Sequence, residues 1–338
     1  MKLKNLLGPL FLTAVALLGL VLYTRQVKER QILTSEAFSR QSKNPFGLML
    51  DAPGLTDSER VKIVKDLGAI YYRPHSVFVD KWDGKCTECQ VALDAGLKLV
   101  LTVRNNGGAL SPTTPPSNLR AYKQVINDIF NTYRPEILVV ENEENSQALF
   151  YSGTVEEYHS QLKTACSAVR LRRMKCTNGG LVSSLIVALV ADEYERTQGA
   201  AKANEYLRKA LEPEEIDRLL KSANLKDQIK RGNDLLRGYK TAGADFVNFH
   251  WYAKPEAFDE AVAYVERMSG LQALTNEIGQ HNDNPVQTRT AMQQVVYNEF
   301  QYAVWFSLDS VKARSLINPD GSLRPTGTAF KSFINSNF

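Results

Sequence analysis

Short apolar segments alternate with amphipathic segments along most of the chain. Eight segments after residue 45 are rich in β-branched, aromatic and other apolar side chains, a composition typical of strands. They cover residues 46–50, 69–73, 97–103, 137–141, 176–182, 245–252, 271–277 and 302–308. Between them, apolar residues recur at helical spacing, as Val61, Val64 and Leu67 do. Strands that alternate with helices predict a parallel sheet, and eight such strands predict a closed (β/α)8 TIM barrel.

The predicted barrel domain has one long insertion. The domain covers residues 45–338, which is more than the roughly 250 residues of a typical barrel. Residues 183–243, between the fifth and sixth strands, are rich in Ala, Leu and Lys and predict a helical insertion. Because a connection that follows the carboxyl end of a strand starts at the active face, we expect the insertion to border the substrate cleft. A solvated helical hairpin on the rim is the alternative.

An open doubly wound sheet is the alternative topology for the same order of elements. A nucleotide-binding version would place a glycine-rich turn after the first strand. Here that turn reads DAPGLTD, and neither GxGxxG nor a Walker A string occurs in the chain. The sequence therefore indicates no dinucleotide or phosphate cofactor, and the barrel remains the predicted fold.

An uncharged segment precedes the predicted barrel. Residues 6–23 contain no charge and follow Lys2 and Lys4. At about 1.5 Å per residue, such a helix is just long enough for a hydrocarbon core of about 30 Å. We therefore predict a signal anchor within residues 1–25 and a polar juxtamembrane tether at 26–44. A cleaved signal peptide is the alternative, although no clear small-x-small site follows the run. Both place the barrel on the periplasmic or extracellular side, either membrane-tethered or secreted.

Composition narrows the class of protein. Hydrophobic residues make up 43% of the 338 residues and charged residues 23%, values that allow a large core and exclude a disordered chain. The net charge of +4 is small and no basic stripe accompanies it, so nucleic acid is not a predicted partner. In an exported protein the four cysteines predict disulfides. Three pairings are possible, and the local one, Cys86 with Cys89 and Cys166 with Cys176, is favoured.

Two of the predicted strands run into clusters of acids and amides. Residues 137–145 read ILVVENEEN, and residues 271–280 read LQALTNEIGQ. A buried parallel strand has this pattern when its carboxyl end reaches a functional face. The dipeptide Asn-Glu occurs four times, but the copies at 204–205 and 298–299 lie in segments with helical periodicity. Glu143 and Glu277 therefore stand out, since both end strand-like runs.

The other predicted strand ends bring polar and aromatic side chains to the same face. With the two glutamates, the full set is Asp51, Arg73, His75, Asn105, Asn106, Asn142, Glu143, Asn178, His250, Tyr252, Glu277 and Trp305. Cleavage of a glycosidic bond needs one carboxylic acid that protonates the leaving oxygen and one carboxylate that attacks or stabilises the anomeric centre. Amides can bind sugar hydroxyls, and an aromatic ring can pack on the C–H face of a sugar. The set therefore indicates a carbohydrate site. No spacing of His, Asp and Glu resembles a metal site, so neither a metal nor another cofactor is predicted.

These residues resemble those of the clan A glycoside hydrolases, which are retaining (β/α)8 barrels. In that clan an Asn-Glu at the end of the fourth strand holds the acid/base, and a Glu at the end of the seventh strand is the nucleophile. Asn142, Glu143 and Glu277 match in order and in strand number. The resemblance implies that Glu143 is the general acid/base and Glu277 the nucleophile. The residue after Glu143 is often Pro in the clan and is Glu144 here, which offers a second candidate for the acid.

Further matches extend the resemblance over residues 46–336. A His-x-Tyr on the sixth strand matches His250 and Tyr252, and it implies that Tyr252 hydrogen-bonds the nucleophile. Arg73, in the Arg-Pro after the second strand, resembles the arginine that orients the nucleophile. Trp305 on the eighth strand resembles the platform tryptophan at the cleavage subsite. Three other residues at the same face are predicted to bind substrate: His75, Asn106 and Asn178.

Two functions of different classes are consistent with these residues. The leading hypothesis is an exported retaining glycoside hydrolase that cleaves β-linked oligo- or polysaccharide by double displacement, with transglycosylation open to the same intermediate. The alternative is a non-catalytic carbohydrate-binding barrel that serves polysaccharide assembly or export at the membrane. Two carboxylates at matched strand ends favour the enzyme, because a binding protein has no need of both.

We expect the mature protein to retain residues 6–23 as an anchor, with the barrel outside the cytoplasm. Lys2 and Lys4 would keep the amino terminus of the span cytoplasmic under the positive-inside rule. Amino-terminal sequencing of the protein purified from membranes measures this directly. A mature terminus near residue 24 would contradict the anchor and leave only a cleaved export signal.

Overall fold

The eight predicted strands are present in the computed structural model, which describes residues 43–108, 111–170, 172 and 174–338. They are β1 Phe46–Asp51, β2 Tyr71–Tyr72, β3 Lys98–Arg104, β4 Ile137–Val140, β5 Lys175–Asn178, β6 Val247–Asn248, β7 Ala273–Ile278 and β8 Ala303–Leu308. A further two-residue strand, Val77–Phe78, pairs with β3. Each of the eight lies inside a predicted segment or extends at most one residue beyond it, so the apolar runs locate all of them.

The strands are parallel and follow the order β5-β4-β3-β2-β1-β8-β7-β6. The two ends of this path, β5 and β6, meet through isolated parallel bridges between Thr177 and Phe246 and between Leu181 and Phe249. Eight parallel strands thus form the predicted (β/α)8 barrel. The join between β5 and β6 has isolated bridges in place of a continuous paired register.

Helices follow the strands, as the alternation predicts. Their bounds are Asp57–Asp66, Thr87–Asp94, Leu119–Tyr133, Val155–Arg170, Ser183–Gln198, Ala200–Ala210, Pro213–Leu220, Leu225–Tyr239, Phe258–Ser269, Pro285–Tyr297 and Pro325–Asn337. Local signals set their ends. Thr56 and Glu59 form a capping box at the start of the helix Asp57–Asp66, and Gly270 ends the helix Phe258–Ser269 in the left-handed region at φ 67°.

The segment between β5 and β6 is helical and contacts the carboxyl-terminal rim of the barrel. It holds four helices, from Ser183–Gln198 to Leu225–Tyr239. Arg231, on the last of them, donates to the carbonyl oxygen of Glu144 at 2.9 Å. Tyr239, at the end of the same helix, donates to the carboxylate of Glu144 at 2.5 Å. Because Glu144 follows β4, the insertion reaches the side of the barrel on which the functional residues were expected.

Apolar side chains that point inward fill the barrel. They form one cluster of Tyr71, Val100, Ile137, Val139, Phe246, Leu274 and Val304. Successive strand residues point to opposite faces, so Ile137 and Val139 share the inner face of β4. The interior is thus a packed core, and polar side chains become accessible where the strands end.

Two disulfides join neighbouring cysteines. They link Cys86 to Cys89 and Cys166 to Cys176, which is the favoured one of the three pairings. The first bridge lies at the start of the helix Thr87–Asp94, and the second ties the helix Val155–Arg170 to β5.

The predicted anchor at residues 1–25 and nearly all of the predicted tether at 26–44 lie outside the described residues. Within the described ranges, no helix combines the length and the apolar character needed to cross a membrane. The anchor therefore stays a prediction.

Removal of the Cys166–Cys176 disulfide should destabilise the barrel more than removal of Cys86–Cys89. The two bridges join cysteines 10 and 3 positions apart. The loop-closure relation then gives losses of about 3 and about 2 kcal/mol in the free energy of unfolding. Urea unfolding of the two double Cys→Ala variants measures both. Equal losses, or the reverse order, would contradict this entropic explanation.

Candidate active site

Glu143 and Glu277 meet at the carboxyl ends of β4 and β7. One carboxylate oxygen of each, together with a ring nitrogen of His250, lie within 4.8 Å of one another. The side chains of Glu143 and Glu277 are 14% and 13% exposed, so protein covers most of each carboxylate while solvent still reaches it. Two carboxyl groups at such a separation can act on the two sides of one bond.

A cation and a phenol hold Glu277 as an anion. Arg73 donates to Oε2 of Glu277 at 2.6 Å, and the Tyr252 hydroxyl donates to Oε1 at 3.0 Å. Burial favours the neutral acid, but the charges of His250 and Arg73 and these hydrogen bonds outweigh burial and lower the pKa of Glu277 to about 2. Arg73 also donates to Asn142 Oδ1 at 2.9 Å, so the guanidinium bridges the ends of β4 and β7. Glu277 is therefore a carboxylate at neutral pH, as a nucleophile must be.

Glu143 faces an imidazole instead of a fixed positive charge. Its Oε1 lies 2.9 Å from Nδ1 of His250. The same ring nitrogen is 3.6 Å from Oε1 of Glu277. Burial alone would lower the pKa of His250, but the negative charge of Glu277 and the hydrogen bond with Glu143 outweigh it and raise that pKa. Nδ1 can therefore either accept a hydrogen bond from protonated Glu143 or donate one to its carboxylate.

Three buried asparagines determine which nitrogen of His250 carries hydrogen. The backbone N–H of Asn248 donates to Asn178 Oδ1 at 2.7 Å, and the backbone N–H of Asn276 donates to Asn248 Oδ1 at 3.0 Å. Since the Oδ1 of Asn248 accepts, its amide nitrogen donates, and it does so to Asn276 Oδ1 at 2.7 Å. Asn276 Oδ1 also lies 3.1 Å from Nε2 of His250, so Nε2 must bear a hydrogen. Nδ1, which faces Glu143, can therefore accept a hydrogen bond from that carboxyl group or donate one to it.

Two glycines after β5 make room for this arrangement. A Cβ on Gly180 would lie 2.2 Å from Nε2 of His250, and Gly180 has φ 102°. A Cβ on Gly179 would lie 2.7 Å from the backbone of Glu141. No side chain fits at either position. The sequence places the Gly-Gly pair within the fifth strand, but β5 ends at Asn178, just before it. The pair lies where Glu141 and His250 approach the backbone closely.

Glu141 is a buried carboxyl that the sequence does not single out. It accepts hydrogen bonds from the Asn105 N–H, the Thr113 hydroxyl and the Gln161 amide at 3.0, 2.7 and 2.6 Å. Burial raises the pKa of Glu141 to about 7 in spite of these donors. Glu141 and Glu143 both have left-handed backbone, at φ 69° and 47°. Such conformations cost of order 1–3 kcal/mol each, and the three donors to Glu141 hold the turn that projects Glu143 toward Glu277.

Glu144, the second candidate for the acid, does not join the pair. Its carboxylate is fully buried and accepts hydrogen bonds from the Tyr239 hydroxyl and, at 2.8 Å, from the Asn178 amide. Burial raises the pKa of Glu144 above its usual range. The side chain thus points to the insertion and to the chain of asparagines, whereas Glu143 is the residue beside Glu277.

The prediction of a sugar platform at Trp305 is wrong. The Trp305 side chain is fully buried, its indole N–H donates to Gln280 at 3.0 Å, and its ring packs edge-on against Phe330 of the last helix. Trp305 therefore belongs to the layer between strand and helix. Val304 points into the barrel, so Phe306, two residues later, shares the inner face of β8 and is half-buried. The aromatic residue at this face is one position away from the predicted one.

The remaining three predicted residues contact other groups. His75 Nδ1 lies 2.9 Å from Oε2 of Glu88, and the Asn106 N–H donates to Asp80 at 2.7 Å. Asn178 is fully buried in the chain of asparagines, so its amide has no exposed face for a sugar. Direct binding of substrate by His75 and Asn106 stays a prediction, and Asn178 supports the site through Asn248.

Glu143, His250 and Glu277 are the described residues whose donor atoms lie close enough to hold a metal ion. Glu277 is already engaged otherwise: Arg73 lies 2.6 Å from its carboxylate and would repel a cation there, and the Tyr252 hydroxyl donates to its other oxygen. The arrangement therefore fits proton transfer and nucleophilic attack better than metal binding.

The barrel is similar to solved structures of glycoside hydrolases, while no family model and no curated protein sequence matches the chain. A glucosidase from Croceicoccus marinus superposes with a TM-score of 0.60 at 13% identity, over 87% of this chain and 67% of that one. A family 39 β-xylosidase from Caulobacter crescentus gives 0.55 at 15%, over 85% and 69%. A family 30 xylanase from Clostridium acetobutylicum gives 0.50 at 12%, over 86% and 71%. At these identities the similarity shows a shared fold.

The Tyr252→Phe substitution should raise the pKa of Glu277 by about one unit, because it removes a hydrogen bond that favours the anion. A titration of ¹³C-labelled glutamate carboxyl groups by NMR measures this pKa. Tyr264→Phe is the matched control, since the Tyr264 hydroxyl bonds Asn233 in the helical insertion. An unchanged or lower pKa in Tyr252→Phe would contradict the role given to the phenol.

Proposed function

We propose that the chain is a retaining glycoside hydrolase, with Glu277 as nucleophile and Glu143 as general acid/base. The observation that carries the proposal is the approach of the two carboxylates to within 4.8 Å. Retaining enzymes hold their carboxyl groups at about 5–5.5 Å, whereas inverting enzymes need about 6.5–9.5 Å to admit a water molecule. The asymmetric surroundings of the two groups support the division of roles.

In the first step, an oxygen of Glu277 would attack the anomeric carbon while Glu143 protonates the leaving oxygen. Arg73 and Tyr252 keep Glu277 ionised, so the attacking group is charged before substrate arrives. After Glu143 has given up its proton, the pair of Glu143 with His250 Nδ1 disperses the new negative charge. The product of this step is a glycosyl ester of Glu277.

In the second step, Glu143 would take a proton from water, and the water oxygen would attack the anomeric carbon and release Glu277. The two inversions restore the original configuration. If a sugar hydroxyl enters instead of water, the same step yields a transglycosylation product. His250 can respond to both charge states of Glu143, because only its Nε2 is committed to donating.

The substrate in this proposal is a β-linked oligo- or polysaccharide. Support comes from the fold, which a β-xylosidase shares, and from the partial exposure of the Glu143 and Glu277 side chains, at 14% and 13%. An uncharged run at residues 6–23 supports export, with the barrel tethered to the membrane or secreted. A non-catalytic carbohydrate-binding barrel is less well supported, because binding alone gives no reason to hold one glutamate ionised by Arg73 beside a second that faces histidine.

Glu277→Gln should remove turnover of β-linked oligosaccharides while leaving the fold intact, because the amide cannot attack. Glu205→Gln is the matched control: Glu205 also follows an asparagine, but it is exposed on the helix Ala200–Ala210 and pairs with Lys202. Steady-state kinetics and circular dichroism of both variants give the answer. Wild-type rates in Glu277→Gln would contradict the proposal.

Glu143→Ala should lower kcat by about 10²–10⁴-fold on substrates with poor leaving groups. On an aryl β-glycoside with a good leaving group, added azide should restore the rate, since it attacks the glycosyl ester without needing a base. The expected product is a β-glycosyl azide, identified by NMR. An α-glycosyl azide, or no effect of azide, would contradict the double displacement.

A further inference from the structure

Arg314 is a half-buried cation next to the tyrosine that hydrogen-bonds Glu277. Its guanidinium carbon lies 4.1 Å from the centroid of the Tyr252 ring. The hydroxyl of that ring donates to Glu277 at 3.0 Å. One side chain thus separates the guanidinium from the proposed nucleophile, and a sugar attacked by Glu277 would lie within reach of Arg314.

Within the part of the chain that the structure describes, Arg314 has no carboxylate partner. The neighbouring cations do have one. Lys312 Nζ lies 3.8 Å from Oδ2 of Asp283, and Arg324 forms an ion pair with the same carboxylate at 2.5 Å. A half-buried charge without a counter-ion is unfavourable, and a bound anion would compensate for it.

The backbone at Arg314 is anchored, so its position is defined before substrate binds. The carbonyl oxygen of Ser315, the next residue, accepts from the Gln280 amide at 3.2 Å and from the Thr326 hydroxyl at 2.8 Å. The contact between the guanidinium and the Tyr252 ring helps to fix the position of the charged group. The N–H groups of a guanidinium can form two parallel hydrogen bonds to a carboxylate or sulfate.

We infer that Arg314 binds an anionic substituent of the sugar at the cleaved bond, so that the substrate is a glycan containing uronic acid or a sulfate ester. The inference rests on the proposed function of Glu143 and Glu277. These two glutamates would repel an anionic sugar, and Arg73 is already paired with Glu277. Arg314 supplies the opposite charge that such a substrate requires.

The inference can be tested by measuring ligand binding to the Glu277→Gln protein, which should bind the sugar without turning it over. The probes are methyl β-glucuronide with methyl β-glucoside, methyl β-galacturonide with methyl β-galactoside, and methyl β-glucoside 6-sulfate to separate sulfate from carboxylate. NMR titration should show at least one charged probe binding about tenfold or more tightly than its neutral partner. Adding Arg314→Gln should remove that preference. Equal affinities in every pair, or no binding of any charged probe, would overturn the inference.

Kinetics on 4-nitrophenyl glycosides of the same sugars distinguish a substrate contact from support of Tyr252. The Arg314→Gln variant should raise KM for the charged glycoside about tenfold or more and leave kcat/KM for the neutral one within about threefold. Equal losses on both would mean that Arg314 acts through Tyr252 alone, which would contradict the inference.

Lys312→Gln is the matched control, because Lys312 is an exposed cation on the same turn and is paired with Asp283. It should leave the preference for the charged sugar unchanged, and an equal loss of preference would overturn the assignment to Arg314. A failure of the proposed function can be distinguished from a failure of this inference. If the wild-type protein cleaves none of the glycosides or β-linked oligosaccharides, the binding preference of the Glu277→Gln protein still decides the role of Arg314.

Discussion

The site depends on one chain of buried hydrogen bonds that links Asn178, Asn248, Asn276 and His250. Two backbone N–H groups, which can only donate, determine which side-chain atoms of Asn178 and Asn248 accept. The chain crosses β5, β6 and β7, and it therefore strengthens the join between β5 and β6, where the barrel has isolated bridges instead of a paired register. Because these hydrogen bonds end at Nε2 of His250, the contact between Asn178 and Asn248 that joins β5 to β6 also leaves Nδ1 of His250 to face Glu143.

Charge compensation separates the two carboxylates that this framework brings together. Arg73, held also by Asn142, neutralises Glu277, while Glu143 has a histidine whose own charge depends on its neighbours. Two like charges at this distance would otherwise compete for one proton. Glu141 and Glu144, on either side of Asn142 and Glu143, are buried away from the pair. Each of them accepts hydrogen bonds from donors of its own. The chain thus holds one carboxylate that Arg73 keeps ionised beside a second carboxyl group that faces histidine, and glycosyl transfer through a covalent ester uses two such carboxyl groups.

The sequence locates the strands and the two glutamates well, because a parallel strand is a continuous apolar run and its end is marked by the first polar residues. The sequence does not show which residues within those apolar runs face the inside of the barrel. In β8 both faces are buried, so alternation does not separate the inward from the outward residues, and Trp305 is chosen where Phe306 shares the inner face. The asparagines of the buried chain were equally hard to identify. Asn276 looks like the polar end of a strand, and its partners come from segments 26 and 28 residues away.

Covalent trapping tests the central claim most directly. A 2-deoxy-2-fluoro glycoside with a reactive leaving group, in the configuration of a sugar that the protein cleaves, should form the glycosyl ester faster than water can remove it, because the fluorine destabilises both oxocarbenium-like transition states. We expect intact-protein mass spectrometry to show one added glycosyl group and peptide mapping to place it on Glu277. A protein that turns over the parent glycoside but gains no label, or a label on Glu143 or Glu144, would contradict the assignment of Glu277 as nucleophile.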